Sequence, residues 1–308
     1  MLPTLRQMQY FVALAETRSF VRAARVCHVT QSTLSAGIRQ FETCLGAELV
    51  DRSGRSIALT DAGQTILDRV SGILRDAEDL AGAVRTARQP LSGRLRLGVI
   101  PSIAPYLLPQ VLPGLRARYP DLRLHLREGL TGALMEALRE GRLDVLLIAF
   151  PYDTQGLEME MIGEDPLLLA VPGDHAFAAG GCVSLHKLRG EPLLLLEDGH
   201  CLREHVLRAF DGAAPPESDE IQASSMTTLV QMVDNGLGIT LLPRIAADAG
   251  VTRGTGLVLT PLEAPQATRE LGLVWRRRSG HAADAEALAG ALRGYLSERG
   301  RRTRGEGA

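Results

Sequence analysis

The stretch LLLLEDGHCLREHVLRAF, residues 193–210, sets Cys201 directly after His200 and two positions before Arg203, where a strand reads as running into a helix. A cysteine reacts as its thiolate, so its neighbours decide whether it has any chemistry. If Asp198 caps the helix, Cys201 falls in the first turn, where unpaired amide donors and the helix dipole favour an anion. Arg203 adds a fixed positive charge, and His200 can give or take a proton beside the sulfur. All three favour the thiolate, the form that oxidants attack. The same residues also allow a second reading, a small buried hydrophobe with no chemistry. Cys27, Cys44 and Cys182 are scattered, with neither Cys-x-x-C nor Cys/His spacing. That argues against a metal site and against a disulfide-stapled fold, and no cofactor is expected. Any thiol function is therefore individual.

A second group of residues has the chemistry of nucleic-acid contact. SFVRAARV and QSTLSAGIRQFETCL read as two short helices about the turn CHVT, the second opening with small polar residues. In a helix-turn-helix the start of the second helix reaches base edges in the major groove. Here that start is Thr30, Gln31, Ser32, Thr33 and Ser35, with Arg39 one turn on. ELVDRSGRSIALTDAG then reads as a β-hairpin wing turning at Ser53-Gly54, which would bring Arg52 and Arg55 to the phosphate backbone. Residues 1–60 hold seven arginines, no lysine and four acids, a net charge of +3, whereas the whole chain carries −2. A basic front end on an acidic body suits a module that meets a polyanion. A helical cap with a solvated arginine face is the plainer alternative.

Between the two groups of residues, positions 62–88 contain no proline, and Ile66, Val70, Ile73, Ala77, Leu80 and Val84 alternate spacings of four and three. That is a heptad seam, expected to pair with a second chain rather than with its own body. QPLSG, residues 89–93, breaks the helix and reads as a hinge. From Arg94 strand and helix patterns alternate, through RLRLGVI, the helix in PSIAPYLLPQVLPGLRARYP, DLRLHLREG, LDVLLIAF, DPLLLAVP, EPLLLLED, GITLLP and ELGLVWRR. This predicts an α/β body on a parallel sheet. The longest apolar run, VLLIAF, is far short of the roughly 18 residues of a membrane helix, and the N-terminus has no secretory pattern. A cytoplasmic protein with no membrane partner is expected.

AARVCHVTQSTLSAGIRQFETCLGAELVDRSGRSIALTDAG resembles the winged helix-turn-helix of LysR-type transcriptional regulators, a likeness that extends over essentially the whole chain. IPSIAPYLLP, LLLLEDGHCLR, SSMTTLVQMV and GITLLP are similar to the hydrogen-peroxide-sensing members of that family. The resemblance implies a homotetramer made of two dimers, and an α/β body of two periplasmic-binding-protein-like subdomains behind an N-terminal α winged helix-turn-helix and a long linker helix. The domains expected are a DNA-binding domain over 1–61, a linker and dimerisation helix over 62–90, subdomain I over 91–163 and 268–300, subdomain II over 164–267, and a disordered tail over 301–308. Cys201 matches the peroxide-reactive cysteine, with His200 and Arg203 as its neighbours and Glu204 where an aspartate is usual. Ser102 matches a hydroxyl residue, commonly threonine, that helps hold peroxide, and Thr131 matches another, while both also read as helix caps. The resolving cysteine that some members carry nine residues on is replaced by Phe210, so a one-cysteine mechanism is implied. Cys182 is placed on an ordinary loop. The partners implied are double-stranded DNA at a promoter operator, hydrogen peroxide, further copies of the chain, and RNA polymerase, and the protein is not an enzyme. Two rival readings stand beside this one. The first is a LysR-type regulator answering a small organic effector, with Cys201 inert; the second is a thiol peroxidase or solute-binding protein, against which the winged-helix pattern counts.

Overall fold

The computed structural model describes residues 2–52, 57–86, 89–210, 212 and 217–305. Contacts divide the chain into two compact units, Met1–Val84 and Arg85–Ala308.

In the first unit α1 (Leu5–Thr17), α2 (Phe20–Val26) and α3 (Gln31–Leu45) are each fixed at the start by a side-chain cap. Thr4 and Gln7 form a reciprocal capping box, and Ser19 and Thr30 accept from the backbone N–H three residues on. Phe11, Leu14, Leu34, Ile38 and Phe41 form the core between α1 and α3. A Cβ at Gly37 would stand 2.6 Å from the Tyr10 ring, so only glycine allows this close a crossing. β1 (Val50–Asp51) pairs antiparallel with β2 (Ala58–Leu59), as a wing requires. Its turn at Ser53-Gly54, and Arg55 with it, lies outside the described residues. The helix α4 (Asp61–Thr86) follows. Of the seam residues, Val70 is buried in the core of this unit and Ile66 packs against it, whereas Ile73 and Leu80 are 45% and 72% exposed.

The second unit has two hydrophobic cores joined by two crossing strands. Its chain order is β3 (Gly93–Val99), α5 (Ala104–Arg118), β4 (Leu122–Glu128), α6 (Thr131–Arg139), β5 (Val145–Phe150), β6 (Leu157–Val171), β7 (Leu193–Leu196), α7 (Cys201–Ala209), β8 (Glu217–Ala223), α8 (Met226–Asp234), β9 (Thr240–Pro243), α9 (Arg244–Asp248), β10 (Val258–Thr260), β11 (Thr268–Arg276) and α10 (Ala282–Gly305). β3, β4 and β5 are parallel neighbours, and every residue of β5 is buried. Each such Val, Leu or Ile contributes roughly 1.5–3 kcal/mol by leaving water. The alternation of elements predicts a parallel sheet, but the sheet is mixed. β11 runs antiparallel to both β5 and β6, and β9 and β10 run antiparallel to β6. Hydrophobic periodicity carries no information on strand direction, which the return of β6 and β11 between the two cores imposes. β6 is fifteen residues long, with Ile162 in the first core and Leu167, Leu169 and Val171 in the second. The C-terminal helix runs to Gly305, so residues 301–305, expected to be disordered, are helical.

Candidate functional site

The short connection from β7 to α7 sets the sulfur. Gly199 has φ of 91°, a left-handed conformation that its lack of a Cβ permits. His200, not Asp198, occupies the N-cap, without a side-chain cap bond, which makes Cys201 the first residue of α7. Asp198 is 88% exposed and accepts from Arg203 Nε at 3.0 Å. Leu202, Val206, Ala209 and Phe210 of the same helix pack in the second core, but Cys201 belongs to the first. The thiol therefore faces from one half of the unit into the other.

What surrounds it comes from distant parts of the chain. Arg269 on β11 is completely buried and stands in register with Asp165 on β6. Its Nε and Nη2 donate to Asp165 Oδ2 at 3.0 and 2.9 Å, its Nη1 to Ser102 Oγ at 2.7 Å, and its Nη2 also to the Ser102 carbonyl at 3.1 Å. Asp165 Oδ1 in turn accepts from the Ile245 amide at 2.9 Å. With its oxygen already accepting from a guanidinium, the Ser102 hydroxyl keeps its proton to donate elsewhere. Thr131, the first residue of α6, is buried, and its Oγ1 completes no hydrogen bond. Burial pushes the Cys201 thiol up. Arg269 and the Thr131 and Ser102 hydroxyls pull it back, and Glu204 pushes the same way as burial. Burial outweighs them, so the thiol taken alone lies above its ordinary value, although the helix start and Arg203 favour the thiolate. The desolvation penalty exceeds what a nearby cation returns.

His200 is buried with Nε2 3.8 Å from Glu197 Oε1, and Arg203 holds Asp198. The structure thus brings Cys201, Ser102 and Thr131 together, with Glu204 in electrostatic reach, while the sequence neighbours His200 and Arg203 are engaged by acids of the β7–α7 turn. Three residues that frame the site have no sequence signal. They are Arg269, Asp165 and His205, the last bonded through its ring to the Cys201 and Phe150 carbonyls. Tyr152 also lies close enough for Glu204 and Cys201, after burial itself, to raise its phenol.

In the first unit, Gln31, Ser32, Thr33 and Arg39 are exposed and Ser35 is half-buried along one side of α3. Thr30 Oγ1 lies 2.9 Å from Ser32 Oγ and 2.8 Å from Thr33 Oγ1, and Arg39 Nη1 donates to Ser35 Oγ at 2.8 Å. Arg52 does not stand free as the wing pattern suggests. It donates to Glu42 at 2.8 Å and lies over the Phe20 ring at 5.9 Å. The other oxygen of Glu42 accepts from the Leu49 and Val50 amides, so this pair anchors β1 to α3.

Comparison with known proteins accounts for both units. Residues 5–64 match the bacterial regulatory helix-turn-helix protein, lysR family, and residues 88–297 match the LysR substrate binding domain. The DNA-binding transcriptional dual regulator OxyR of Escherichia coli strain K12 is 39% identical over 292 residues, 95% of each chain. The HTH-type transcriptional regulator EstR of Acinetobacter baylyi is 40% identical over 276 residues, 90% of this chain and 91% of that one. A solved Corynebacterium glutamicum OxyR cysteine-to-serine mutant, H2O2-bound, superposes with a TM-score of 0.67 at 34% identity, covering 97% of this chain and 94% of that one. The chain belongs to the LysR family of bacterial DNA-binding transcriptional regulators.

Proposed function

We propose that this LysR-type regulator senses hydrogen peroxide through Cys201 by a one-cysteine mechanism. The observation that carries the reading is a buried thiol beside a fully buried arginine and two buried hydroxyls, Ser102 and Thr131, that both lie within reach of its sulfur. Such donors suit the oxygens of a peroxide lying against the sulfur, and Arg269 favours the charge on the thiolate that attacks it. Phe210, at the far end of α7, is buried in the second core, so no second thiol meets Cys201 along its own helix. The product of attack is therefore a sulfenic acid. His200, Arg203 and Glu204 then act as the outer rim that holds the β7–α7 turn. In the first unit, Thr30 fixes the start of α3, Gln31, Ser32, Thr33 and Ser35 read base edges, and Arg39, Arg52 and Arg55 serve the phosphates. The assembly proposed is a homotetramer paired through α4, working in the cytoplasm on promoter DNA and RNA polymerase. The domain limits proposed are 1–61, 62–90, 91–163 with 268–300, and 164–267.

Intact-mass measurement after a brief dose of hydrogen peroxide tests the central step. Addition of about 16 Da that Cys201→Ser abolishes is the expected result. An unmodified thiol at doses that change DNA binding would reject it. A second reading keeps the regulator and gives the cleft to a small organic effector. It is favoured by the raised Cys201 thiol and by EstR, a relative as similar as the OxyR proteins. DNA binding that responds to an effector equally well in Cys201→Ser would establish it.

A further inference from the structure

His205 lies one turn after Cys201 on α7 and is buried. Its Nδ1 is 2.6 Å from the Cys201 carbonyl oxygen and its Nε2 is 2.8 Å from the Phe150 carbonyl oxygen. Both oxygens can only accept. A neutral imidazole has one N–H, so it serves one carbonyl and turns a lone pair toward the other; only the imidazolium donates to both. Phe150 closes β5 and packs in the first core, while most of α7 packs in the second. The ring therefore bridges the two halves at the residue that carries the sulfur.

We infer that His205 is a positioning residue for Cys201 and that the two ionise together. The proton that leaves Sγ is taken up at the bare ring nitrogen, and the imidazolium ties the first turn of α7 to the end of β5. This inference rests on the peroxide reading above. Burial pushes the Cys201 thiol up and the His205 ring down, so each charge alone is disfavoured. Formed together, the opposite charges offset one another's desolvation. The charged groups that face the ring are Arg269 from β11, itself paired with Asp165 of β6, and Arg208 from α7. Both cations oppose protonation, and the two carbonyls favour it.

The pair also supplies the oxidation step with its proton. The thiolate attacks one peroxide oxygen, an S–O bond forms as the O–O bond breaks, and sulfur is oxidised to the sulfenic acid while the peroxide is reduced. The other oxygen leaves as hydroxide and takes the imidazolium proton to become water. The ring is then neutral and has lost one of its two carbonyl bonds. Oxidation thus loosens α7 from β5 without a second cysteine, a local change of the kind that biases a two-state element.

The test uses the full-length protein, with ¹⁵N-histidine NMR for the ring and iodoacetamide for the thiol. Between about pH 6 and pH 8, alkylation of Cys201 should change little in the wild type, because the proton moves within the pair. In His205→Gln the lone thiol should alkylate about tenfold faster per pH unit and about tenfold or more slower than wild type at neutral pH. The His205 ring should be protonated in the wild type, and neutral in Cys201→Ser and after peroxide. One pH profile for wild type and His205→Gln, or one ring state in wild type and Cys201→Ser, overturns the pairing. Should His205→Gln fail to fold, the ring comparison decides alone. A wild type with the flat profile and the charged ring that gains no oxygen from peroxide would sink the peroxide reading and leave the pairing standing.

Discussion

Arg269 and Asp165 face one another on β11 and β6 with neither side chain reached by solvent, and Arg269 also spans both the hydroxyl and the carbonyl of Ser102. Replacing Arg269 by Gln leaves a buried carboxylate without its counter-charge, which costs about 3–5 kcal/mol of folding stability. It also removes the largest effect that lowers the Cys201 thiol, so the thiol rises further and alkylates more slowly at neutral pH. Arg269→Lys keeps the charge but loses the fork that serves Asp165 and Ser102 at once, and should fall between the two. Chemical denaturation together with alkylation rates checks this, and an unchanged alkylation rate in Arg269→Gln would remove Arg269 from the thiol's environment. The sequence marks Cys201 because its motif is contiguous. It does not mark Arg269, because that contact depends on the register of two antiparallel strands far apart in the chain. His200 and Arg203 are adjacent in sequence, but the motif does not announce that they pair with Glu197 and Asp198 of the same turn.

α3 shows the opposite balance, since its start is specified locally. Thr30 caps it through the Thr33 amide, and the buried residues Leu34, Gly37, Ile38 and Phe41 follow at helical spacing, which leaves Gln31, Ser32 and Arg39 outward. The pattern is readable in sequence because cap chemistry and period lie within one element. Changing Gln31 or Ser32 to Ala should alter sequence preference at a cost of about 1–3 kcal/mol per lost base contact, whereas Arg39→Ala should weaken operator and random DNA alike and flatten the salt dependence. Arg52→Ala differs from both, because it also frees Glu42 and slackens the anchor of β1. Binding measured against salt on operator and random DNA separates these roles; equal losses on both from Gln31 and Ser32 would refute base readout. β6 was less legible. Gly163 and Glu164 interrupt its apolar pattern, so only DPLLLAVP, from Asp165 on, reads as a strand, yet backbone pairing to β11 continues through them.

For the molecule as a whole, the proposed assembly rests on the seam on α4. Val70 is committed to the core of the first unit, and Ile66 is half-buried against it, so the seam is only partly free for another chain. Ile73 and Leu80 are large, apolar and exposed, two turns apart on the same helix. An apolar stripe at this spacing gains its stabilisation only when a second surface covers it. A substitution at Ile73 therefore affects the isolated chain and the assembly differently. In the single chain Ile73→Glu is a surface change worth about 0.5 kcal/mol or less. Across a pairing helix it buries a carboxylate without a partner, at a cost of several kcal/mol. Sedimentation should then show a smaller species that keeps the folded far-UV circular dichroism of the wild type, with a melting temperature lowered by the lost association, and Asp68→Ser, on the exposed side of the same helix, should leave the assembly as it is. DNA binding should fall as dimerisation is lost, because a helix-turn-helix dimer gains affinity by engaging two half-sites at once. An oligomer unchanged by Ile73→Glu would take α4 out of the interface and leave association to the α/β bodies.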